Sequence, residues 1–199
     1  AVSRLLSRAE QRTLAPADPA MVEAAVAKLS EVELNGEKAA GRIILEASHL
    51  IADALQELRE SEAEAAAEEH DDDDERSLLA VGGFGRGVVG LVAAALDLLR
   101  LSSETGLPLC AADERAMLML VTCAQAASEQ VDSLACAAYE GSVTDVLSYA
   151  SSLCKLMKKL GDIISRAGME EDAVLHRHTA EVERCFSELQ GEASSLLNE

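Results

Sequence analysis

Apolar residues recur at the spacing of an α-helix through most of this 199-residue chain. The clearest repeat lies between residues 143 and 164, and its apolar positions are Val143, Val146, Leu147, Ala150, Leu153, Cys154, Met157, Leu160 and Ile164. Intervals of three and four residues place such positions along one side of a helix, facing a core. Aromatic residues, on which all-β cores depend, make up only 2% of the chain. We therefore predict an all-α fold with a core of Leu, Val, Ile, Ala, Met and Cys.

Capping and breaking residues divide the chain into predicted helices. We expect these to form a bundle of five or six mostly antiparallel amphipathic helices. Asp18-Pro19 is a typical helix start and Asn35-Gly36 a typical stop, whereas residues 1–14 are compatible with a short basic helix. The next helix starts near Glu37, and its predicted core stripe is Ile43, Ile44, Ala47, Leu50, Ile51, Ala54, Leu55 and Leu58. Later helices are predicted over about 77–101, 112–139, 142–168 and 170–197, with Gly106 and Pro108 ending the first of these segments.

The length suits a single helical-bundle domain over residues 1–199. It comprises N-terminal helices (1–60), an acidic linker (61–76) and C-terminal helices (77–199). Because the connections between the last three helices are short, we predict that these helices are antiparallel neighbours. In the last helix, Val174, Leu175, Val182, Cys185, Phe186, Leu189 and Leu196 are expected to face inward.

A dense run of acid interrupts the helical pattern. From Glu60 to Glu75 there are ten carboxylates and no Lys or Arg. Like charges repel, so the part after the alanine-rich stretch is predicted to be a disordered loop. It lacks the spaced ligands and turn glycine of a calcium loop, and no metal site is predicted there. As a functional element, the acidic loop is expected to attract a basic partner through Asp71, Asp72, Asp73 and Asp74.

Charge and cysteine content limit the classes of partner and compartment. A net charge of −19 disfavours nucleic acid and anionic membrane surfaces as partners. No uncharged apolar run reaches the roughly 18–20 residues that cross a bilayer, and we expect no secretory leader. The odd number of cysteines, without a CxxC pair, indicates buried thiols in the cytosol or nucleus: Cys110, Cys123, Cys136, Cys154 and Cys185.

A small basic patch lies opposite the apolar stripe of residues 143–164. It consists of Lys155, Lys158 and Lys159. A solvated outer face is one interpretation of these lysines. The other is a docking point for an acidic partner.

The segment Gly85-Arg-Gly-Val-Val-Gly90 matches the dinucleotide-binding pattern GxGxxG. In that fold an acidic residue such as Glu104 would follow a second parallel strand, and the sequence predicts no strand there. A dinucleotide-binding enzyme is therefore the least favoured alternative, and a glycine-lined helix pressed against a neighbour is preferred.

Other possible ligands are isolated. Glu46 and His49 form a single ExxH pair, whereas diiron bundles need two such pairs. His176 and His178 lie about 200° apart around a helix, so we expect one to be half-buried and the other exposed. We predict no catalytic residues, no metal and no cofactor.

The order of segments over roughly residues 68–197 resembles the cyclin-D1-binding protein family, also called Grap2 and cyclin-D-interacting proteins. An acidic stretch and an apolar helix precede the segment Val131-Asp132-x-Leu134-Ala135. A helix similar to the Leu-x-x-x-Leu-Lys-Lys type follows. Leu153, Lys158 and Lys159 match this pattern, whereas Met157 stands at its second Leu and Leu156 lies one position earlier. The resemblance implies an all-helical, non-enzymatic protein that binds D-type cyclins and helix–loop–helix regulators and restrains proliferation or transcription.

The alanine-rich, aromatic-poor helices are also similar, more weakly, to the bundles of vinculin, α-catenin and talin. This second likeness implies a cytoskeletal adaptor. Both families bind partners by placing a helix in a groove. The sequence leaves open whether the protein is a monomer or a dimer.

Overall fold

A computed structural model describes residues 36–67, 78–80 and 82–198, except the side chains of residues 65–67, 80 and 82. The helices predicted before Asn35 and the acidic residues Asp71–Asp74 lie outside these residues. The described residues form one compact unit.

The described chain consists of five long α-helices and shorter helical turns. No strand occurs in residues 36–67, 78–80 or 82–198, so the all-α prediction is confirmed. The helices are α1 (Gly36–Ala67), α2 (Gly82–Leu101), the single-turn α3 (Leu107–Cys110), α4 (Glu114–Tyr139), α5 (Val143–Ile164) and α6 (Ala173–Leu196), and a 3₁₀ turn spans Leu78–Ala80.

Short polar side chains begin the last three long helices. The Asp113 carboxylate accepts hydrogen bonds from the first backbone N–H groups of α4, and Asp172 does the same for α6. Ser142 accepts a hydrogen bond from the backbone N–H of Asp145 (3.4 Å) and begins α5. Each cap satisfies donors that have no partner within the helix. Gly141 just before α5 has a φ of 78°, which explains why glycine stands there.

The long helices form a closed ring in which each packs against two neighbours, in the order α1, α4, α5, α6, α2 and back to α1. Neighbours run antiparallel except for α1 and α4. Gly36 lies beside the Met117 side chain at the start of these two helices, and the Ser61 hydroxyl donates a hydrogen bond to the Tyr139 hydroxyl (3.4 Å) near their ends. The predicted, mostly antiparallel bundle is therefore confirmed, with one parallel pair.

Helix α2 buries side chains along most of its length. It packs closely against α1 and α6 and also touches α4 and α5. Its fully buried side chains are Phe84, Val88, Leu91, Val92, Ala95, Leu98 and Leu99, each with 0% exposure. Because burying one such large side chain contributes about 1.5–3 kcal/mol, this helix is a major source of the bundle's stability.

Two glycines let α2 lie close to its neighbours. Gly85 faces the backbone carbonyl of Leu79 in the preceding 3₁₀ turn, where an added Cβ would overlap with the carbonyl oxygen. Gly87 faces α6, where an added Cβ would lie 3.1 Å from Cδ1 of Leu189. The interpretation of these glycines as a helix-packing surface agrees with the structure.

The predicted helix end at Gly106 and Pro108 is wrong. After Leu101 the chain stays helical, first with wider π-type hydrogen bonding over Ser102–Gly106 and then as α3. A Cβ at Gly106 would lie 2.8 Å from Cγ1 of Ile164, so glycine permits close packing here instead of stopping the helix. Pro108 falls in the first turn of α3, where its missing N–H has no intrahelical partner to lose.

Three residues predicted to be inside are exposed. Leu50 is 57% and Val174 43% exposed, whereas the next residues, Ile51 and Leu175, are buried. Consecutive helical residues point about 100° apart, so only one of each pair faces the neighbouring helices. Cys136 is also exposed, on the outward face of α4, in contrast to the other four thiols.

We expect replacement of Leu153 by Ala to lower the free energy of unfolding by about 2–5 kcal/mol, because this side chain is fully buried in α5. Chemical denaturation of the two proteins measures the difference. Leu118→Ala is the matched control, since Leu118 is 65% exposed and its loss should change stability by less than about 0.5 kcal/mol. An equally small effect at Leu153 would mean that the stripe on α5 is not core.

Two Gly→Ala substitutions should have opposite effects. Gly85→Ala places a methyl group against the Leu79 carbonyl oxygen, and the resulting overpacking should destabilise the protein by about 1–3 kcal/mol. Gly191→Ala, in α6 with nothing within 4 Å of the added Cβ, should stabilise by up to about 1 kcal/mol through helix propensity. Thermal unfolding of both variants tests this contrast, and destabilisation at Gly191 would contradict it.

Candidate functional site

Two departures from α-helical hydrogen bonding meet at one corner of the bundle. Ser102–Gly106 follows α2 and Ser165–Met169 follows α5, and both have π-type geometry. Gly106 lies against Ile164, and α3 packs against the second of these segments. Gly168, with a φ of 128°, ends the helical path of the chain there. Single π-turns inside helices occur frequently at functional sites.

A groove opens at this corner between α3, the start of α4 and the end of α5. Its volume is about 580 Å³, inside the range of about 300–1,000 Å³ that is typical of ligand sites. We call it the corner groove. Its apolar lining is supplied by Leu109, Cys110, Ala112, Ala116, Met119, Ile163 and Ala167.

The apolar lining is partly open to solvent. Leu109 is 42% exposed at the edge of the groove, whereas Ile163 is only 8% exposed beneath it. Burial, and secondly the nearby Asp113 carboxylate, raise the pKa of the Cys110 thiol, so this side chain stays neutral. An apolar side chain of a partner would therefore find a hydrophobic contact surface here.

Two arginines stand at the edge of the corner groove. Arg115 comes from the first turn of α4 and Arg166 from the segment after α5, and both are exposed. Neither forms an ion pair with any residue that the structure describes. Asp113, the acidic residue in the lining, accepts hydrogen bonds from the backbone N–H groups of Arg115 (3.0 Å) and Ala116 (3.1 Å). Its carboxylate is thus engaged as a helix cap.

The three lysines of the predicted basic patch do not act as one surface. Lys158 points towards α6 and forms a salt bridge with Glu183 (2.9 Å), which raises the pKa of the lysine. Lys155 and Lys159 are exposed and form no ion pair within the described residues. Lys159 lies on the side of α5 that faces Cys123 of α4. Its positive charge partly offsets the rise that burial causes in the pKa of the Cys123 thiol.

Arg166 continues the line of these two lysines. Lys155, Lys159 and Arg166 follow one another at intervals of four and seven residues, so they share one side of α5 and the turn after it. We call these three residues the basic edge. It leads from the middle of α5 to the corner groove, where Arg115 stands.

The remaining sequence candidates lie elsewhere. Glu104, considered as a ribose ligand, is part of the π-type segment after α2. Glu46 and His49 are exposed on α1. His176 is exposed and His178 half-buried, as predicted. Within the described ranges, no group of three or more His, Cys, Asp or Glu side chains is arranged to hold a metal ion.

Sequence reasoning missed the corner groove itself. The seven-residue interval from Lys159 to Arg166 was a usable signal for the basic edge. No such signal links Leu109, Arg115 and Met119 to Ile163, because these residues meet only when α3 and α4 fold against the end of α5.

Comparison with protein-family models gives no match for this chain, and comparison with curated proteins gives none either. In the part of the chain that the structure describes, no helix is both long and apolar enough to cross a membrane.

The five thiols should differ sharply in reactivity. Cys136 is exposed, whereas burial shields the other four and raises their pKa values. Since the thiolate is the reactive form, a maleimide or disulfide reagent should modify a single thiol quickly in the native protein and the rest only on unfolding. The rapid reaction should disappear in Cys136→Ser. More than one rapidly reacting thiol in the native protein would mean that the helices separate readily.

Proposed function

We propose that this chain is a non-enzymatic protein-interaction module of the cyclin-D-interacting type, which binds a helical segment of its partner in the corner groove. The observation that carries the proposal is the groove's combination of an apolar lining and two arginines that form no ion pair with the described residues. A D-type cyclin or a helix–loop–helix regulator is the proposed partner, and the cytosol or nucleus the proposed compartment.

The mode of binding follows from the chemistry of the groove. An amphipathic helix buries its apolar face in a hydrophobic groove and keeps its polar face at the rim. Leu109 and Met119 supply apolar contact, and Arg115 and Arg166 supply donors for polar groups at the rim. In such interfaces a few central side chains account for most of the binding free energy.

The choice of partner rests on the sequence resemblance. Several of the residues that carry it, such as Val131, Leu134 and Leu153, are buried in the core. They therefore support a similar fold and cannot themselves contact a partner. Lys158 and Lys159 are the exposed residues of the same motif, and Lys159 belongs to the basic edge.

We expect the purified chain to bind a D-type cyclin or a dimerising helix–loop–helix protein saturably at micromolar concentration, measured by calorimetric titration. Leu109→Ser removes an exposed apolar side chain from the groove and should weaken binding at least about tenfold, equivalent to about 1.4 kcal/mol. Leu118→Ser, the same substitution at an exposed leucine outside the groove lining, should leave binding unchanged.

Failure to bind either partner would contradict the cyclin-D-interacting proposal, and cosedimentation with actin would then test the adaptor alternative. Equal effects of the two leucine substitutions would instead place the binding surface outside the corner groove.

The role of the acidic loop needs a separate variant. A deletion of residues 61–75 would remove the end of α1, including Ser61 that contacts Tyr139. Replacing Asp71–Asp74 with Asn removes the charge and keeps the chain length. Weaker binding by this variant would assign the loop a part in recognition, and unchanged binding would exclude it.

A further inference from the structure

We propose that the corner groove selects an acidic amphipathic helix, whose apolar side chains enter the groove while its carboxylates pair with Arg115, Arg166 and the basic edge. This inference rests on the proposed function, since it names the chemistry of the partner at the same site. Glu and Asp placed on either side of an apolar stripe would meet both parts of the surface.

The apolar part of the groove sets the first requirement. Leu109, Met119 and Ile163 come from three different segments and converge on one cavity of about 580 Å³. This volume accommodates large side chains of a partner, within the range of known ligand pockets. A purely polar ligand would leave these side chains in contact with water, so the partner must bring apolar groups.

The charges around the groove set the second requirement. Although the whole chain has a net charge of −19, the groove edge carries two arginines that form no ion pair with any described acid. Guanidinium groups bind carboxylates through paired hydrogen bonds, which fixes the orientation of the ligand. A basic partner would meet Arg115 and Arg166 at the rim and be repelled.

The basic edge extends this surface along α5. From Lys155 to Arg166 the helix rises by roughly 16 Å, which corresponds to about three turns of a partner helix. Acidic residues at similar intervals on that helix would face the basic edge. Helical spacing also places Asp162 on this side, between Lys159 and Arg166, so one carboxylate interrupts the basic edge; Asp162 lines a different cavity with His176 and Glu183 of α6 as well. Glu114 is exposed beside Arg115 at the start of α4.

A pair of synthetic peptides tests the preference. One is an amphipathic helix of roughly 18 residues with a leucine stripe flanked by Glu, long enough to be helical, and the other has Lys in place of every Glu. Both are titrated against the full chain by fluorescence anisotropy. Because the net charge of the protein is −19, non-specific attraction favours the lysine peptide. Tighter binding of the glutamate peptide would therefore come from the local arginines.

The variant Arg115→Glu/Arg166→Glu reverses the charge at the groove. We expect it to bind the glutamate peptide at least about tenfold more weakly than the wild type and the lysine peptide more tightly. The neutral variant Arg115→Gln/Arg166→Gln should give an intermediate affinity. Arg59→Glu is the control. Arg59 is near the end of α1, whereas Arg115 is at the start of α4; because these two helices run parallel, Arg59 lies away from the corner groove. Circular dichroism verifies that each variant is folded.

Three results would overturn the inference: no binding of the glutamate peptide, equal weakening of its binding by Arg59→Glu, or no tighter binding of the lysine peptide by the reversed variant.

The two proposals can fail separately. If a D-type cyclin binds and Leu109→Ser weakens it but the arginine variants do not, the groove function stands and the acidic preference is wrong. If the glutamate peptide binds through the arginines and the cyclin does not bind, the partner class stands and the family assignment is wrong.

Discussion

The burial of α2 is the constraint on which the rest of the structure depends. This helix is apolar on nearly every side, so it is stable in water only if other helices cover it. The other four long helices meet that requirement, with α1 and α6 on its flanks and α4 and α5 touching it from across the core. Gly87 allows the α6 backbone to lie close, which brings Leu189 into contact with α2.

Local signals were sufficient for the long helices that the structure describes and insufficient for the connection after α2. The α5 helix could be predicted because Ser142 caps it and its apolar stripe faces one way, so local and tertiary preferences agree. Gly106 and Pro108 are helix breakers by local preference, yet the chain continues helically through both. The reason is tertiary: the side chain of Ile164 occupies the space that a Cβ at Gly106 would take. Packing overrides propensity where a small residue permits close contact.

The candidate site could be predicted only in part, for the same physical reason. The lysines of α5 were visible in the sequence because charged residues on a predicted helix identify its outer face. The sequence did not show that Lys158 forms an ion pair while Lys155 and Lys159 do not, because that difference depends on Glu183 of α6 lying next to Lys158. The groove was also invisible, because Leu109 and Ile163 are 54 residues apart and meet only through the ring of helices. Asp71–Asp74, the other predicted partner-binding residues, lie outside the described part of the chain, and their role stays a prediction.

The strongly acidic composition makes the arginines at the groove selective instead of generally attractive. At distances beyond a Debye length of about 8–10 Å, an acidic ligand meets the net negative charge of the whole chain and is repelled. The inferred preference for an acidic helix requires that Arg115 and the basic edge outweigh that repulsion at close range. An acidic segment without apolar groups gains too little at the groove to remain bound, and a basic segment is attracted from afar but meets like charge at the rim. A ligand must therefore combine carboxylates with apolar side chains, because specificity arises from penalties against the wrong partners as much as from contacts with the right one.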